Sequence, residues 1–152
     1  MYERILVALD GSEHAEQVLP LVEELADKFG STVILLQVAP RLGTAMVAAS
    51  APQDPTLTHR LEKEAAASYL GAVADRLRGM GRTVTTAQAE GNAAEEILKY
   101  ARNEGVDLIA ITTHGRGALG RLVFGSVADE ILRQAPGPVL VERIGKRRSD
   151  VR

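Results

Sequence analysis

Hydrophobic positions along this chain fall into short unbroken runs separated by stretches of helical spacing. Arg4-Ile5-Leu6-Val7-Ala8-Leu9 is almost wholly apolar, the pattern of a strand buried on both faces of a parallel sheet. Asp10-Gly11-Ser12 breaks the run and can cap the next helix. From Ala15 to Phe29, Val18, Leu19, Val22, Leu25, Ala26 and Phe29 keep helical spacing, and Gly30 ends that helix. Thr32 to Val38 reads as a second buried strand. Residues 39–57 carry three prolines (Pro40, Pro52, Pro55), an Ala/Ser-rich middle and little charge, so they read as a long loop. A long helix runs from roughly Thr58 to Met80, with Leu61, Ala65, Tyr69, Val73 and Leu77 in i, i+4 register as its core face. Thr83 to Ala89 alternates like a strand near a sheet edge. Asn92 with Glu95 predicts a capped helix running to about Asn103. Asp107 to Thr112 is a fourth strand, Ser126 to Gln134 a short helix, and Val139 to Arg143 a last strand after Pro136-Gly137-Pro138.

Strand and helix alternate five times, which predicts an α/β fold: a single open, mostly parallel sheet with helices on both faces. No internal repeat or linker divides it. The chain therefore reads as one domain over 1–145 and a basic tail over 146–152. In such sheets ligands bind outside the carboxyl ends of the strands, where strand order reverses. Leu9-Asp10, Val38-Ala39 and Thr112-Thr113 all sit at such ends.

Composition narrows the classes. The 152 residues are 45% hydrophobic, enough for one real core, and with two Phe, three Tyr and no Trp that core is aliphatic. The net charge of −2 is spread over both signs, which argues against nucleic acid as the main partner. The run Lys146-Arg147-Arg148 reads as a solvated end. There is no cysteine, so disulfides, thiol catalysis and thiolate metal sites are excluded. The first strand leaves no room for a leader before it, and the apolar runs fall short of the roughly 18 residues a membrane span needs. A cytoplasmic protein is the expectation.

Candidate chemistry is concentrated in Thr112-Thr113-His114-Gly115-Arg116-Gly117-Ala118-Leu119-Gly120-Arg121-Leu122-Val123-Phe124-Gly125-Ser126-Val127. Glycine-freed amides, arginines and a helix N-terminus directly after a strand are what a polyphosphate needs. Gly115 to Gly120 also matches Gly-x-Gly-x-x-Gly, with Glu142 22 residues beyond as a ribose acid. Against that dinucleotide reading, Gly125-Ser126 would fall inside the helix at a cost of roughly 1 kcal/mol. Only ten residues lie beyond Glu142, too few for a second nucleotide half. The better parse makes Gly115 and Gly125 two stations flanking a nine-residue bridge, with Gly125-Ser126 opening the last helix toward an anion. Asp10 can meet a ribose hydroxyl or an adenine amino group, or can serve as an Asx-turn or cap. Arg116 and Arg121 can neutralise phosphate or stay in solvent, and His114 can donate to a phosphate or be structural. His14 and His59 read as helix-surface residues without a signal. Gly-x-x-x-x-Gly-Lys-[Ser/Thr] and Ser-Gly-Gly-x-Asp-Ser are both absent. No metal-ligand spacing and no paired carboxylates emerge, so no catalytic residue and no protein metal site is assigned.

The chain resembles the universal stress protein family from Ile5 to Val141. Ile5-Leu6-Val7-Ala8-Leu9-Asp10-Gly11-Ser12 resembles that family's first strand and turn, and Leu35-Leu36-Gln37-Val38 its second strand. Gly91-Asn92-Ala93-Ala94-Glu95-Glu96-Ile97 resembles its third-helix opening, and Pro138-Val139-Leu140-Val141 its closing strand. The glycine signature of the ATP-binding branch, Gly-x2-Gly-x9-Gly-[Ser/Thr], is matched by Gly115, Gly125 and Ser126, while Thr112 stands at the first glycine position. The resemblance implies a five-stranded sheet of order 3-2-1-4-5, related to adenine nucleotide alpha hydrolases, and a homodimer partly through the last strand, 139–143. It implies ATP, with Mg2+ or another divalent ion among its phosphates. The candidate contacts are Ala8, Leu9 and Asp10, then Val38, then Ile111 and Thr112. His114, Gly115, Arg116, Gly117, Gly125, Ser126 and Val127 complete the set. An ATP-binding stress-response regulator with at most slow or partner-dependent hydrolysis is the leading reading. A nucleotide-free dimerisation or partner-binding module, and a weak ATPase or adenylyl-transfer enzyme, stay open beside it.

Overall fold

The computed structural model describes residues 1–41, 54–113 and 125–144. Five strands form one all-parallel sheet: β1 (Arg4–Leu9), β2 (Thr32–Ala39), β3 (Thr83–Glu90), β4 (Leu108–Thr113) and β5 (Val139–Arg143). Their order is β3-β2-β1-β4-β5, as the resemblance implies. Four α-helices connect them: α1 (Leu19–Phe29), α2 (Pro55–Gly79), α3 (Ala93–Asn103) and α4 (Ser126–Gln134).

The unbroken apolar runs bury both faces. Ile5, Val7, Val33, Leu35, Leu108 and Ala110 pack with Leu19 and Val22 of α1 and Leu70, Val73 and Leu77 of α2. The alternate residues Leu6, Ile34, Leu36, Ile109 and Ile111 pack with Ile97 and Leu98 of α3 and Ile131 of α4. Period-2 alternation thus assigns each strand residue to one of two helical layers. β3 lies at an edge, as its alternating pattern predicts.

Several sequence expectations are corrected. The helix read over Ala15–Phe29 is a 3₁₀ turn, Ala15–Val18, followed by α1, because Pro20 lacks the N–H that a continuous helix would bond to Glu16. At the other end Gly30 takes φ 67°, and its N–H bonds the Ala26 carbonyl. Next, α2 starts at Pro55 rather than Thr58: Asp54 caps it by accepting from the Thr56 N–H at 3.0 Å, and Pro55 fits the first turn. The first half of α2, moreover, does not face the core. Leu61 is 53% exposed and Ala65 is exposed, and burial begins only near Leu70. β4 starts at Leu108, not Asp107, whose carboxylate and amide both bond the backbone of Arg4 and close the base of the β1–β4 pair. The Asn92 cap is present as read, its side chain accepting from the Glu95 N–H at 3.1 Å. The expected loop lies partly outside the described residues, as does the tail 146–152. Among the described residues no helix is long and apolar enough to cross a membrane.

Candidate functional site

Three strand pairings run different distances, and that difference opens the site. β1 pairs with β4 only through Ile5–Leu108, Leu6–Ile109 and Val7–Ala110. Past that point β1 stays with β2 as far as Leu9–Gln37, and β4 stays with β5 as far as Thr113–Arg143. The two central strands therefore part at their carboxyl ends. This is where the strand order reverses, because β1 leads outward to β2 and β3 while β4 leads the other way. A cavity of about 350 Å³ fills the gap.

Its walls combine two characters. Ala8, Leu36, Val38, Ile97, Ile111 and Ala128 supply an apolar floor from three strands and the two helices on that face. Asp10, Ser12, His14, Thr112, Thr113 and Ser126 supply polar groups around it. An apolar slot with a few convergent polar groups suits a planar aromatic ligand that carries a polar tail.

Asp10 is held by its own loop. Its Oδ1 accepts from the Ser12 N–H at 2.9 Å and from the Ser12 hydroxyl at 2.5 Å. Gly11 between them takes φ 87°, which favours glycine. Ser12 Oγ in turn accepts from the Ala15 N–H at 3.2 Å, so the turn feeds directly into the 3₁₀ segment. Asp10 thus does serve as an Asx-turn residue, and it lines the cavity as well. One residue on from Ala15, Glu16 accepts from the Tyr69 hydroxyl of α2 at 3.0 Å and pairs with Arg76 at 3.4 Å. Burial pushes the Tyr69 phenol well above its ordinary value, followed by its bond to Glu16 and by the Glu16 and Asp10 charges.

On the opposite side α4 points its N-terminus at the cavity. Gly125 is the N-cap and brings no side-chain cap, and its carbonyl accepts from the Asp129 N–H at 3.0 Å. The first-turn amides at Ser126, Val127 and Ala128 have no partner within the helix, a donor set suited to an anion.

The structure brings Ala8, Leu9, Asp10 and Val38 together with Ile111 and Thr112 at this cavity, and Gly125, Ser126 and Val127 at its far wall. His114, Gly115, Arg116 and Gly117 lie outside the described residues, as does Arg121. Sequence reasoning missed Ser12, Thr113, Ala93 and Ile97. His14, read as a surface residue without a signal, is exposed and also lines the cavity. His59 likewise is more than a surface residue, pairing with Glu90 at 3.3 Å. Alternation could have found Thr113, because it shares a face with Ile109 and Ile111. The helix residues could not be found without knowing how α3 packs. Among the described lining residues Asp10 is the single carboxylate, and no group of three His, Asp or Glu side chains is placed to hold a metal. These residues do not build a metal site of their own.

The universal stress protein family model matches residues 1–143. A universal stress protein of Thermus aquaticus is 33% identical over 147 residues, covering 94% of this chain and all of that protein. Universal stress protein MJ0577 of Methanocaldococcus jannaschii is 31% identical, covering 93% of this chain and 94% of its own. The solved structure of MJ0577 superposes with a TM-score of 0.79 over 97% of this chain and 99% of that one. Two more distant structures share the fold and hold ligands. One is a universal stress protein in complex with cAMP, at 18% identity over 95% of this chain and 98% of that one, TM-score 0.67. The other is the Archaeoglobus fulgidus protein in complex with dAMP, at 22% identity over 92% of this chain and 97% of that one, TM-score 0.64.

Proposed function

Because the chain belongs to the universal stress protein family, we propose that it binds an adenine nucleotide, ATP in the first instance, in the crevice between β1 and β4. One observation carries this reading. The splay of two central strands encloses an apolar slot with Asp10 at one rim and the uncapped first turn of α4 at the other. The base lies on the floor near Val38, the ribose meets Asp10, and the phosphates run toward Gly125, Ser126 and Val127. That direction also separates the phosphate charge from the Asp10 carboxylate. By sequence, His114, Gly115, Arg116 and Gly117, which lie outside the described residues, are the candidates for further phosphate contacts, and a divalent ion would be carried by the phosphate oxygens. The cAMP and dAMP complexes of related proteins support an adenine nucleotide as the ligand.

The role is regulatory. Turnover in this reading is slow or partner-dependent at most. The protein acts as a homodimer through β5. The two sheet edges support this choice, because Arg78 donates from Nε and Nη2 to the Val84 carbonyl and so occupies one edge acceptor of β3 with a charged side chain. On β5, Val139, Leu140 and Val141 stay half-buried at the other edge.

Denaturing freshly purified protein and identifying released nucleotide by mass spectrometry, together with ATP and NAD calorimetry, tests the reading. ATP near one per chain is expected, and ATP at 100 times its Kd should stabilise the fold by about 2.7 kcal/mol. An empty site with no ATP heat refutes it. Bound NAD would favour the Gly-x-Gly-x-x-Gly parse instead.

A further inference from the structure

Thr113 is, with Ser31, one of two polar residues that count as buried among the described residues, and it is the one that lines the cavity. It is 4% exposed. Its carbonyl is taken by the Ile144 N–H at 3.1 Å, whereas its hydroxyl has no hydrogen-bond partner among the described residues. The hydroxyl of the other, Ser31, is satisfied by the Tyr2 carbonyl. The Thr113 hydroxyl is nonetheless not one of the sealed atoms left without a partner, so within a buried side chain it opens onto the cavity, where a ligand group can meet it.

Its place in the site says which group that is. Strand alternation puts Thr113 on the same face as Ile109 and Ile111, above the floor contributed by Ile97 and Ala128. Thr112 falls on the opposite alternation with Leu108 and Ala110. Beyond Thr113, along the same wall, stand Gly125, Ser126 and Val127 with the free amides of α4. Thr113 therefore sits where an apolar slot gives way to an anion-binding helix end. On a nucleotide, the group at that junction is the phosphate bonded to the sugar.

We infer that the Thr113 hydroxyl donates to the first phosphate of the bound nucleotide and, with the α4 amides, makes the site select phosphorylated adenosine over adenosine. This rests on the nucleotide reading above and deepens it. The distal phosphates are held elsewhere, so Thr113 should matter equally for AMP and ATP.

The test is calorimetry of adenosine, AMP and ATP on the wild-type protein, Thr113→Val and Thr113→Ser, each checked by melting. Valine keeps the shape and removes the donor. A hydrogen bond to a charged group corresponds to a roughly 10- to 100-fold change in affinity. Thr113→Val should lose about that factor for AMP and for ATP alike, leave adenosine unchanged, and melt no lower than wild type. Thr113→Ser should bind AMP as wild type does. Undiminished AMP binding by Thr113→Val, or an equal loss for adenosine, would overturn the inference while leaving the nucleotide site standing. Wild-type protein that binds none of the three ligands would overturn the nucleotide reading itself, and the inference with it.

Discussion

Tyr69 and Glu16 offer the sharpest test of how α2 is joined to the loop that carries Asp10. The perturbation is a double-mutant cycle of Tyr69→Phe and Glu16→Ala. The Tyr69 hydroxyl donates to Glu16 Oε2 at 3.0 Å, and the Glu16 side chain is 23% exposed. A fully desolvated hydrogen bond to a carboxylate is worth about 1.5–3 kcal/mol. Partial exposure of both partners lowers that to about 1 kcal/mol of coupling. Arg76 adds little, since its side chain is 54% exposed at 3.4 Å from Glu16. Urea unfolding of the four proteins at pH 7 measures the coupling.

The same contact sets a pH dependence with a definite sign. In the folded protein the Tyr69 phenol holds its proton past pH 10, because burial, the Glu16 bond and the Glu16 and Asp10 charges disfavour phenolate. The unfolded chain releases it near pH 10. Stability from this group is therefore complete below about pH 10 and is lost as pH rises above it. The limiting slope is about 1.4 kcal/mol per pH unit, and the half-exposed ring should show a fraction of that. Tyr100 is also raised, by burial and then by the Glu104 charge. Tyr69→Phe should accordingly shallow the alkaline slope without flattening it. Coupling below about 0.3 kcal/mol at pH 7, with slopes unchanged between about pH 9.5 and 11, would refute the claim that this bond ties α2 to the site loop.

Two further substitutions separate the site from the scaffold. Ser12→Ala removes both the hydroxyl that holds Asp10 and the acceptor for Ala15 N–H, so unfolding should become easier by about 1 kcal/mol and ATP affinity should fall several-fold. Unchanged calorimetric affinity would mean that Ser12 does not set the Asp10 rotamer. Arg82→Ala breaks a two-pronged bond to Asp27 at 2.9 and 2.8 Å and an ion pair to Glu23 at 3.0 Å, with the arginine side chain 12% exposed. It should lower stability by about 2 kcal/mol in urea titrations while leaving nucleotide affinity intact, and a loss of affinity would contradict the placement of the site at the other end of the sheet.

The strands are the legible part because their chemistry is local. A run such as Ile5 to Leu9, buried on both faces, can be little else than a central parallel strand, and the edge position of β3 shows in its threonines. Strand order comes from family resemblance rather than periodicity. The helical errors have physical causes: Pro20 forbids a continuous helix from Ala15, and Asp54-Pro55 is a start signal that the proline count hides inside a loop. The register of Leu61 and Ala65 is genuine helical spacing, yet that part of α2 meets the end of β3 through polar contacts, His59 to Glu90 and Gln88 to the Lys63 carbonyl, and leaves Leu61 and Ala65 exposed. Candidate residues at strand ends, Asp10, Val38 and Thr112, can be read because a parallel sheet sends every such end to one side. Ala93 and Ile97 cannot, since which turn of α3 meets the crevice is a property of packing between layers. Motif position selects Thr112, whereas strand parity selects Thr113.

The geometry also explains how one sheet can carry a stable core and a chemically open site. Pairing between β1 and β4 ends at Val7–Ala110, whereas the outer pairs continue to Leu9–Gln37 and Thr113–Arg143. The gap thus costs the central pair only its last ladder bonds. Ile5, Leu6 and Val7, all fully buried, remain below it. Three polar residues lining the cavity sit on backbone that a neighbouring strand or a helix start already holds: Asp10 by the Ser12 turn, Thr113 by β5, and Ser126 by α4. Changes one turn deeper, at Leu6 or Ile109, strike both the sheet and the α3–α4 layer that forms the cavity floor.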